Sequence, residues 1–390
     1  MFAHSLRVVA TSLFVAVPCL LAAFAPLAAA QDRILYKFDG ACTNEVINHA
    51  PLGYGNGTLT AANGTGFTAG RFAGGLGAGD PSNSVRNVVD TGWSPAATPW
   101  TGDLTIAFWA RRETPLAVSQ VSYFFGTSSS GFRLFTGGFA GRGLALRSVA
   151  SGAGDLLLDQ TVVDVQSLAD TDWVHLAVTV DDTAHVVTWY VNGVAVSTVS
   201  TSLDLQIDSP GSLLVGGYAS ASSSAYALDE VLLGQRLYSA AEIAELASGT
   251  RAGYGAYSSG TTTQCNPGLI ALDSTGGRPF FGNLGYSLRV TATVPQLWLL
   301  LYGETRCALG GVVPLPIDGG LLLPALAGCQ VLADPLLLVQ GGVMPGSPAP
   351  IPLPISTALP SGASAFCQVL GLQANGTVAM SNGFTVSVGF

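Results

Sequence analysis

Two neighbouring stretches of alternating side chains predict paired β-strands near the middle of the chain. In residues 174–181 and 186–191, successive side chains fall alternately on two faces, and one face of each stretch is apolar. Asn192 and Gly193 follow, and this dipeptide suits a tight type I′ hairpin, in which both central residues need positive φ. The pattern therefore predicts antiparallel strands with one face buried.

Similar short apolar runs recur throughout residues 31–250, and turn residues separate them at short intervals. This spacing predicts an all-β fold, either a sandwich or a jelly roll. One helix is expected at its end, where Ser239 and Glu242 form a capping box and Gly249 ends the apolar stripe.

The composition changes after this region. Residues 251–264 are rich in Gly, Ser, Thr and Ala, which predicts a linker. Residues 265–390 contain apolar clusters between many prolines, which exclude long helices. We expect a second, smaller β-sandwich here. The segment 321–343 is apolar enough to suggest a membrane span, but its prolines, its glycines and Asp334 argue against one.

The first 30 residues have the pattern of a signal peptide. An apolar stretch follows a weakly basic start, and Ala28 and Ala30 precede Gln31 in the small-residue pattern that signal peptidase cleaves. The alternative is a membrane anchor of about 20 residues. Cleavage would make this a secreted or cell-surface protein without a membrane span.

Five cysteines follow the signal peptide, and an exported protein can form disulfides. Four lie after residue 260, so we expect two bridges within the C-terminal part, with Cys265–Cys329 and Cys307–Cys367 as the first choice. Other pairings remain open. Cys42 would then be free or tied to the second domain.

Charge excludes one class of partner. The chain has 15 Lys and Arg residues against 24 Asp and Glu, a net charge of −9, and a single lysine, Lys37. A basic track for nucleic acid is absent, so we expect no nucleic-acid binding.

Five blocks of the first domain follow one another along the chain: ILYKFDG, GRFAGGLGAGD, DLTIAFWARRE, DWVHLAVTVDDTAHVVTWYVNGVAV and LLVGGYASASSSAYALDEVLLGQRLYSAAEIAEL. In this order they resemble the laminin-G-like jelly roll of the concanavalin A-like lectin/glucanase superfamily, which implies a two-sheet jelly-roll sandwich. The C-terminal part is more loosely similar to small apolar β-domains that end many secreted bacterial proteins.

The resemblance implies a structural Ca²⁺ between the first and last strands. The matching ligands would be Asp39, Asp229 and the backbone carbonyls of the Gly74-Gly75 turn. Asn48 stands where the family's loop would have an aspartate, which weakens the expected affinity. The alternative role for Asp229 is to cap a loop by accepting backbone hydrogen bonds.

Two tryptophans are candidates for ligand binding. Trp93 and Trp100 lie in a proline-containing loop, where exposed rings could stack on sugars. The alternative is that both rings fold back and plug the edge of the sandwich. The other tryptophans occur in strand-like patterns and are expected in the core: Trp109, Trp173, Trp189 and Trp298.

Catalytic motifs are absent from the sequence. The E-x-D-x-E strand of the glucanase relatives does not occur, and neither do H-E-x-x-H and G-x-S-x-G. We therefore expect a secreted non-catalytic protein that recognises an extracellular glycan or glycoprotein through edge loops of the jelly roll. The alternatives are an adhesive or structural envelope protein and, third, an enzyme without recognisable motifs. The oligomeric state is open.

Overall fold

The alternating segments form β-strands in the computed structural model, and the all-β expectation is confirmed. The signal-peptide expectation falls on residues outside the described part of the chain. The structure describes residues 31–390 apart from 41, 51–52, 62–65, 82–84, 101, 130, 139–140, 151–153, 161–163, 170–171, 203–204, 206, 220–221, 258–264, 267, 336 and 345–347.

The first part of the chain contributes the strands of a large sandwich. In chain order they are β1 (Gln31–Tyr36), β2 (Glu45–Val46), β3 (Gly57–Ala61), β4 (Phe67–Ala69), β5 (Gly74–Leu76), β6 (Asn87–Asp90), β7 (Leu104–Arg112), β8 (Ser122–Thr127), β9 (Arg133–Thr136), β10 (Leu144–Ala150), β11 (Gly154–Gln160), β12 (Val174–Asp181), β13 (Val186–Val191), β14 (Val194–Ser200), β15 (Leu213–Val215), β16 (Gly217–Tyr218), β17 (Ser222–Ser223) and β18 (Tyr226–Gln235).

These strands form two antiparallel sheets. Sheet A has the order β14-β13-β12-β7-β18-β5-β4, and β1 also pairs with β18. Sheet B has the order β11-β10-β9-β8-β15-β6-β3-β2, and β16 and β17 form a separate hairpin. Because side chains alternate along each strand, every second residue of both sheets enters one shared core. Phe108 and Trp189 of sheet A and Phe125 and Leu134 of sheet B belong to it.

The local predictions in this sandwich are confirmed. Asn192 and Gly193 have φ values of 48° and 81°, as a type I′ hairpin requires. A four-residue helix, α1 (Val165–Leu168), lies within the sandwich. The longer helix α2 (Ala240–Ser248) begins at Ser239 with the expected capping box and buries Ile243 against the outer face of sheet A.

The remaining strands build the second sandwich and its surface hairpins. In chain order they are β19 (Gly253–Tyr257), β20 (Ile270–Thr275), β21 (Ser287–Ala292), β22 (Gln296–Gly303), β23 (Ala308–Leu309), β24 (Val313–Pro314), β25 (Ile317–Asp318), β26 (Gln330–Val331), β27 (Leu337–Met344), β28 (Ala349–Pro352), β29 (Ser364–Gln373), β30 (Val378–Met380) and β31 (Gly383–Ser387). Two 3-10 turns, Gly319–Leu321 and Pro324–Leu326, lie between β25 and β26.

A six-stranded and a three-stranded sheet face each other in this sandwich. The first has the order β19-β31-β29-β22-β27, with β30 paired to β29, and the second has the order β20-β21-β28. Leu272 and Val290 of the smaller sheet share a core with Trp298 and Val369 of the larger one. The expectation of an all-β C-terminal part is therefore confirmed.

The linker expected at residues 251–264 is wrong for its first half. Gly253–Tyr257 forms β19, which pairs along its whole length with β31. Its glycines allow close packing against the first sandwich: a Cβ on Gly253 would lie 2.7 Å from the Cβ of His49. Residues that resembled a flexible tether therefore form a strand where the two sandwiches meet. Residues 258–264 lie outside the described part.

One predicted disulfide is confirmed and the other is wrong. Cys265 bonds to Cys329, but Cys307 bonds to Cys42 and so joins the C-terminal part to the first sandwich. Cys367 is a buried free thiol. Strand alternation in β29 directs its side chain into the second core, which removes it from any partner at the surface.

No helix in the described residues is long and apolar enough to cross a membrane.

Candidate functional site

The predicted carboxylates Asp39 and Asp229 both hold the segment that joins β4 to β5. Oδ1 of Asp39 accepts a hydrogen bond from the Gly74 backbone N–H at 3.1 Å. Oδ2 of Asp229 accepts one from the Phe72 N–H at 2.8 Å. Asp229 precedes an irregularity in the pairing of β18, and both side chains are buried. The loop-capping role that the sequence left open for Asp229 is therefore part of this structure.

The backbone around these carboxylates adopts conformations that ordinary residues avoid. Phe38, Ala73 and Glu230 have φ values of 58°, 57° and 49°. Such left-handed residues cost free energy unless the surroundings fix them, and they cluster at functional sites. We therefore treat this loop as a candidate site.

The glycines expected in a turn lie instead in a strand. Gly74 and Gly75 belong to β5, and the turn is formed by residues 70–73. Their role is close approach, because a Cβ on Gly74 would lie 2.4 Å from the carbonyl oxygen of Phe38. The Gly74 carbonyl and Oδ2 of Asp229 both approach the same side of Gly70.

Burial disfavours the ionised form of both predicted carboxylates. Burial, with Glu230 and Asp39 nearby, holds the pKa of Asp229 well above its usual range. Burial raises the pKa of Asp39 to about 7, although Lys37 lowers it in part. Lys37 forms a buried ion pair with Glu230 at 2.8 Å, so its ammonium group is already paired with another carboxylate.

A cation at this point would have to use two carboxylates and backbone carbonyls. Among the described residues, no three His, Cys, Asp or Glu side chains form a group that could hold a metal ion. Oδ2 of Asp39 is buried and has no hydrogen-bond partner among the residues that the structure describes. Asp39, Asp229 and the Gly74 carbonyl are the oxygen donors that suit a hard cation such as Ca²⁺.

Asn48 has a structural role. Its Oδ1 accepts hydrogen bonds from the N–H groups of Leu35 and Ala50 at 2.9 and 3.1 Å. Its Nδ2 donates to the carbonyls of Arg33 and Tyr54. All of its bonding capacity fixes the loop after β1, so its place in the expected acidic loop does not make it a ligand.

The loop held by the two carboxylates covers aromatic side chains on the outer face of sheet A. The guanidinium carbon of Arg71 lies 5.0 Å from the ring centroid of Trp109, and the Phe72 ring meets Trp109 edge-on at 5.9 Å. Trp109 contacts His175 on the neighbouring strand at 5.4 Å. Asp229 and His175 are the strand partners of Trp109, which places these groups in one row.

Arg111 extends this row along β7. It lies two residues after Trp109, on the same face of the strand, and its guanidinium carbon is 4.9 Å from the ring centroid of Trp173. Arg111 also forms an ion pair with Glu113 at 2.6 Å. Arg71 is exposed, whereas Arg111 and Trp173 are half-buried. We call Arg71, Phe72, Trp109, Arg111, Trp173 and His175 the edge surface.

Two buried nitrogens of the edge surface lack hydrogen-bond partners in the described structure. They are Nε1 of Trp109 and Nδ1 of His175. Both side chains are at least 95 % buried, with exposed fractions of 5 % and 2 %. Burial lowers the pKa of His175 to about 3, so its ring is neutral at physiological pH. The indole N–H can only donate, so it matches a hydrogen-bond acceptor.

The structure contradicts the ligand-binding prediction for Trp93 and Trp100. Both rings are buried, with 4 % exposed, and belong to the core of the first sandwich. Trp93 stacks on Tyr54 at 4.7 Å. The indole N–H groups donate to the backbone carbonyls of Thr98 and Asp103, so both rings face inward with their donors satisfied. The alternative, in which the rings plug the edge, is correct.

The expected core positions hold for three of the other four tryptophans. Trp109, Trp189 and Trp298 are buried, although Trp109 lies on the outer face of its sheet. Trp173 is only half-buried, because it precedes β12.

A second aromatic cluster lies on the outer face of sheet B. Tyr123 stacks on Tyr218 at 4.7 Å, and the guanidinium carbon of Arg133 lies 5.0 Å from the Tyr218 ring. The Tyr218 ring rests on Gly126, where a Cβ would lie 2.5 Å from it. The Tyr218 hydroxyl accepts hydrogen bonds from Arg133 and from the Gly131 N–H. This cluster is internally satisfied, unlike the edge surface.

Arg71 and Phe72 are site residues that the sequence did not single out. Both lie in the block GRFAGGLGAGD, which carries part of the resemblance, directly after Gly70. The glycine-rich turn and the two charged or aromatic residues inside it were the available signal.

Comparison with known proteins supports the fold. Residues 87–244 match the family model described as the concanavalin A-like lectin/glucanases superfamily. This stretch is a concanavalin A-like domain. Among curated proteins, a sequence search finds no match.

Structure comparison matches this chain to several solved proteins at low identity. Domain 4 of the extracellular arabinanase AbnA from Geobacillus stearothermophilus, solved with arabinotriose, is 16 % identical over 56 % of this chain and 99 % of its own, with a TM-score of 0.41. The binding domain of botulinum neurotoxin serotype G is 11 % identical over 91 % and 92 %, with a TM-score of 0.41. An SAP-like pentraxin from Limulus polyphemus is 12 % identical over 38 % and 77 %, with a TM-score of 0.29. Such low scores carry no argument about the ligand of this chain.

Proposed function

We propose that this protein is a secreted, non-catalytic carbohydrate-recognition protein whose concanavalin A-like domain binds a glycan at the edge surface. The observation that carries the proposal is the loop of residues 70–73, which two buried carboxylates hold over Trp109. Aromatic rings flanked by fixed hydrogen-bond donors are the usual means of orienting a sugar ring. The two disulfides support an extracellular location.

Calcium belongs to this proposal as a structural ion. Asp39, Asp229 and the Gly74 carbonyl would hold it, and the ion would offset the charge that these carboxylates share with Glu230. The same carboxylates position Phe72 and Gly74, so the ion would stiffen the loop that carries Arg71. A bound ligand that the unfolded chain does not bind raises the melting temperature.

A glycan array with the full chain, with and without calcium, tests the proposal. We expect binding to at least one class of oligosaccharide, weaker in chelator. The matched variants are Arg71→Ala and Arg289→Ala, because Arg289 is an exposed arginine paired with Asp273 in the other sandwich. Arg71→Ala should lose binding and Arg289→Ala should keep it. Absence of binding to any glycan would refute the proposal.

The calcium site has its own test. Calcium should raise the melting temperature of the wild-type protein, and Asp229→Asn should remove this shift while it retains an acceptor for the Phe72 N–H. Asp273→Asn, an exposed carboxylate in the second sandwich, should leave the shift unchanged. Identical melting curves in calcium and in chelator would eliminate the ion from the proposal.

The proposal that the protein lacks catalytic activity rests on the absence of the E-x-D-x-E pattern from the sequence. Incubation with a panel of β-glucans should release no reducing ends. Hydrolysis that survives purification to homogeneity would instead make this protein a glucanase.

A second candidate function is adhesion through the C-terminal part. Leu321 is 76 % exposed and Val312 is 81 % exposed, in surface turns that contain few charges. Exposed apolar side chains of this kind can dock on another surface. Cell fractionation tests this candidate, since an envelope component should sediment with the cell surface and Leu321→Ser should release it into the medium.

A further inference from the structure

We infer that the ligand of the edge surface is a sugar that carries a carboxylate group, such as a uronic acid residue within an oligosaccharide. This inference rests on the proposed function and specifies its ligand class. It derives from the hydrogen-bonding character of the edge surface, which is rich in donors.

The guanidinium groups of Arg71 and Arg111 stack on aromatic rings through their flat faces. Their N–H groups lie at the edges and point in other directions. The guanidinium carbon of Arg71 lies 5.3 Å from the Phe72 ring centroid and 5.0 Å from that of Trp109, and Arg111 lies over Trp173. Ring stacking uses the flat face of a guanidinium group. Its N–H groups lie in the plane, where they can grip a carboxylate with two parallel hydrogen bonds.

The buried indole N–H of Trp109, next to Arg71, also requires a hydrogen-bond acceptor. Nε1 of Trp109 is a donor without a partner in the described structure. A buried donor without an acceptor destabilises the protein, so a ligand that supplies an acceptor binds more tightly. A sugar hydroxyl both donates and accepts, whereas a carboxylate only accepts. The set of Arg71, Arg111 and Trp109 therefore matches a carboxylate better than a neutral sugar.

The charge of the whole chain limits the ligand to few negative groups. The net charge is −9, and the single lysine is buried in its pair with Glu230. Arg111 already shares its charge with Glu113. Such a surface can bind one carboxylate through Arg71, but it would repel a densely sulfated chain. We therefore expect recognition of one acidic residue with a weak dependence on salt.

The experiment compares matched oligosaccharides. Oligogalacturonate and oligoglucuronate are titrated against neutral galactose and glucose oligomers of equal length, by calorimetry, in calcium. We expect the acidic oligomers to bind at least roughly tenfold more tightly, which is the effect of one charge-assisted contact. Arg71→Ala should remove this preference, and Arg71→Lys should restore only part of it, because lysine lacks the planar fork. Arg289→Ala is the control, and circular dichroism checks folding.

Each outcome separates the two proposals. Equal binding of acidic and neutral oligomers, both weakened by Arg71→Ala, would overturn the carboxylate inference and leave glycan recognition standing. Acidic preference that Arg71→Ala does not change would also overturn the inference, since the site would lie elsewhere. Absence of binding to every oligomer would overturn the proposed function itself.

Discussion

Two pairs of tryptophans in the first sandwich, Trp93 with Trp100 and Trp109 with Trp173, differ in burial and in the hydrogen bonding of their indole N–H groups. Trp93 and Trp100 are buried in the core, and each indole N–H donates to a backbone carbonyl. Trp109 is almost as buried but lies on the outer face of sheet A, and its N–H has no acceptor in the described structure. Its neighbour Trp173 is half-buried beneath Arg111.

The difference matters for the glycan recognition that we propose. A ring whose donor is satisfied within the fold has no donor left for a ligand, so Trp93 and Trp100 hold the end of the sandwich together. The indole N–H of Trp109 has no partner in the described structure, and it is the donor that our proposal assigns to a ligand.

The largest effect is expected from removing a core ring. Trp93→Ala deletes a buried indole that stacks on Tyr54, and such truncations cost about 3–5 kcal/mol in the free energy of unfolding. Urea denaturation measures it. Glycan binding of the folded fraction should be unchanged. A cost below about 1 kcal/mol would show that this loop is not part of the core.

An intermediate effect is expected from acid, through His175. Its folded pKa of about 3 is far below the unfolded value near 6.5, so its contribution to stability is complete above pH 6.5 and is lost as the pH falls. At pH 5 the loss amounts to about 2 kcal/mol, since only the unfolded state takes up the proton. His175→Gln should therefore lose less stability than the wild type between pH 7 and pH 5.

Stability measurements at the two pH values provide the check, and His185→Asn is the comparison, because His185 lies near a hairpin turn on another part of the sheet. If His175→Gln and the wild type lose the same free energy on acidification, His175 does not remain neutral in the folded protein.

The smallest effect on stability is expected at the edge surface. Trp173→Ala removes a half-buried ring and its contact with Arg111, which together contribute about 1 kcal/mol or less. Binding should fall much more than stability does. A destabilisation as large as that of Trp93→Ala would make Trp173 a structural residue and remove the contrast between the two pairs.

Local patterns predicted the elements of this fold well. The alternation in β12 and β13, the hairpin at Asn192 and Gly193 and the capping box of α2 all depend on residues close in sequence. Their geometry follows from the backbone preferences of these residues, which do not depend on the rest of the fold. The resemblance added Asp39 and Asp229, which lie near opposite ends of the sequence of the first domain and which no local pattern connects.

Long-range packing explains the errors. Residues 253–257 consist of small and aromatic residues, so their composition resembles a linker, yet their glycines permit tight contact with the first sandwich. Cys42 bonds to Cys307, which lies 265 residues away in the sequence. The spacing of cysteines within the C-terminal part could not indicate this pairing. Arg71 and Phe72 contact Trp109 because Asp229 accepts a hydrogen bond from the Phe72 N–H and so holds their loop in place.

The burial of Lys37 has a practical consequence for handling this protein. Its amine is enclosed against Glu230, and the sequence holds no other lysine. Reagents that attach proteins to sensor chips or dyes through primary amines would reach the folded chain only at its terminal α-amino group. Immobilised molecules would then share one attachment point.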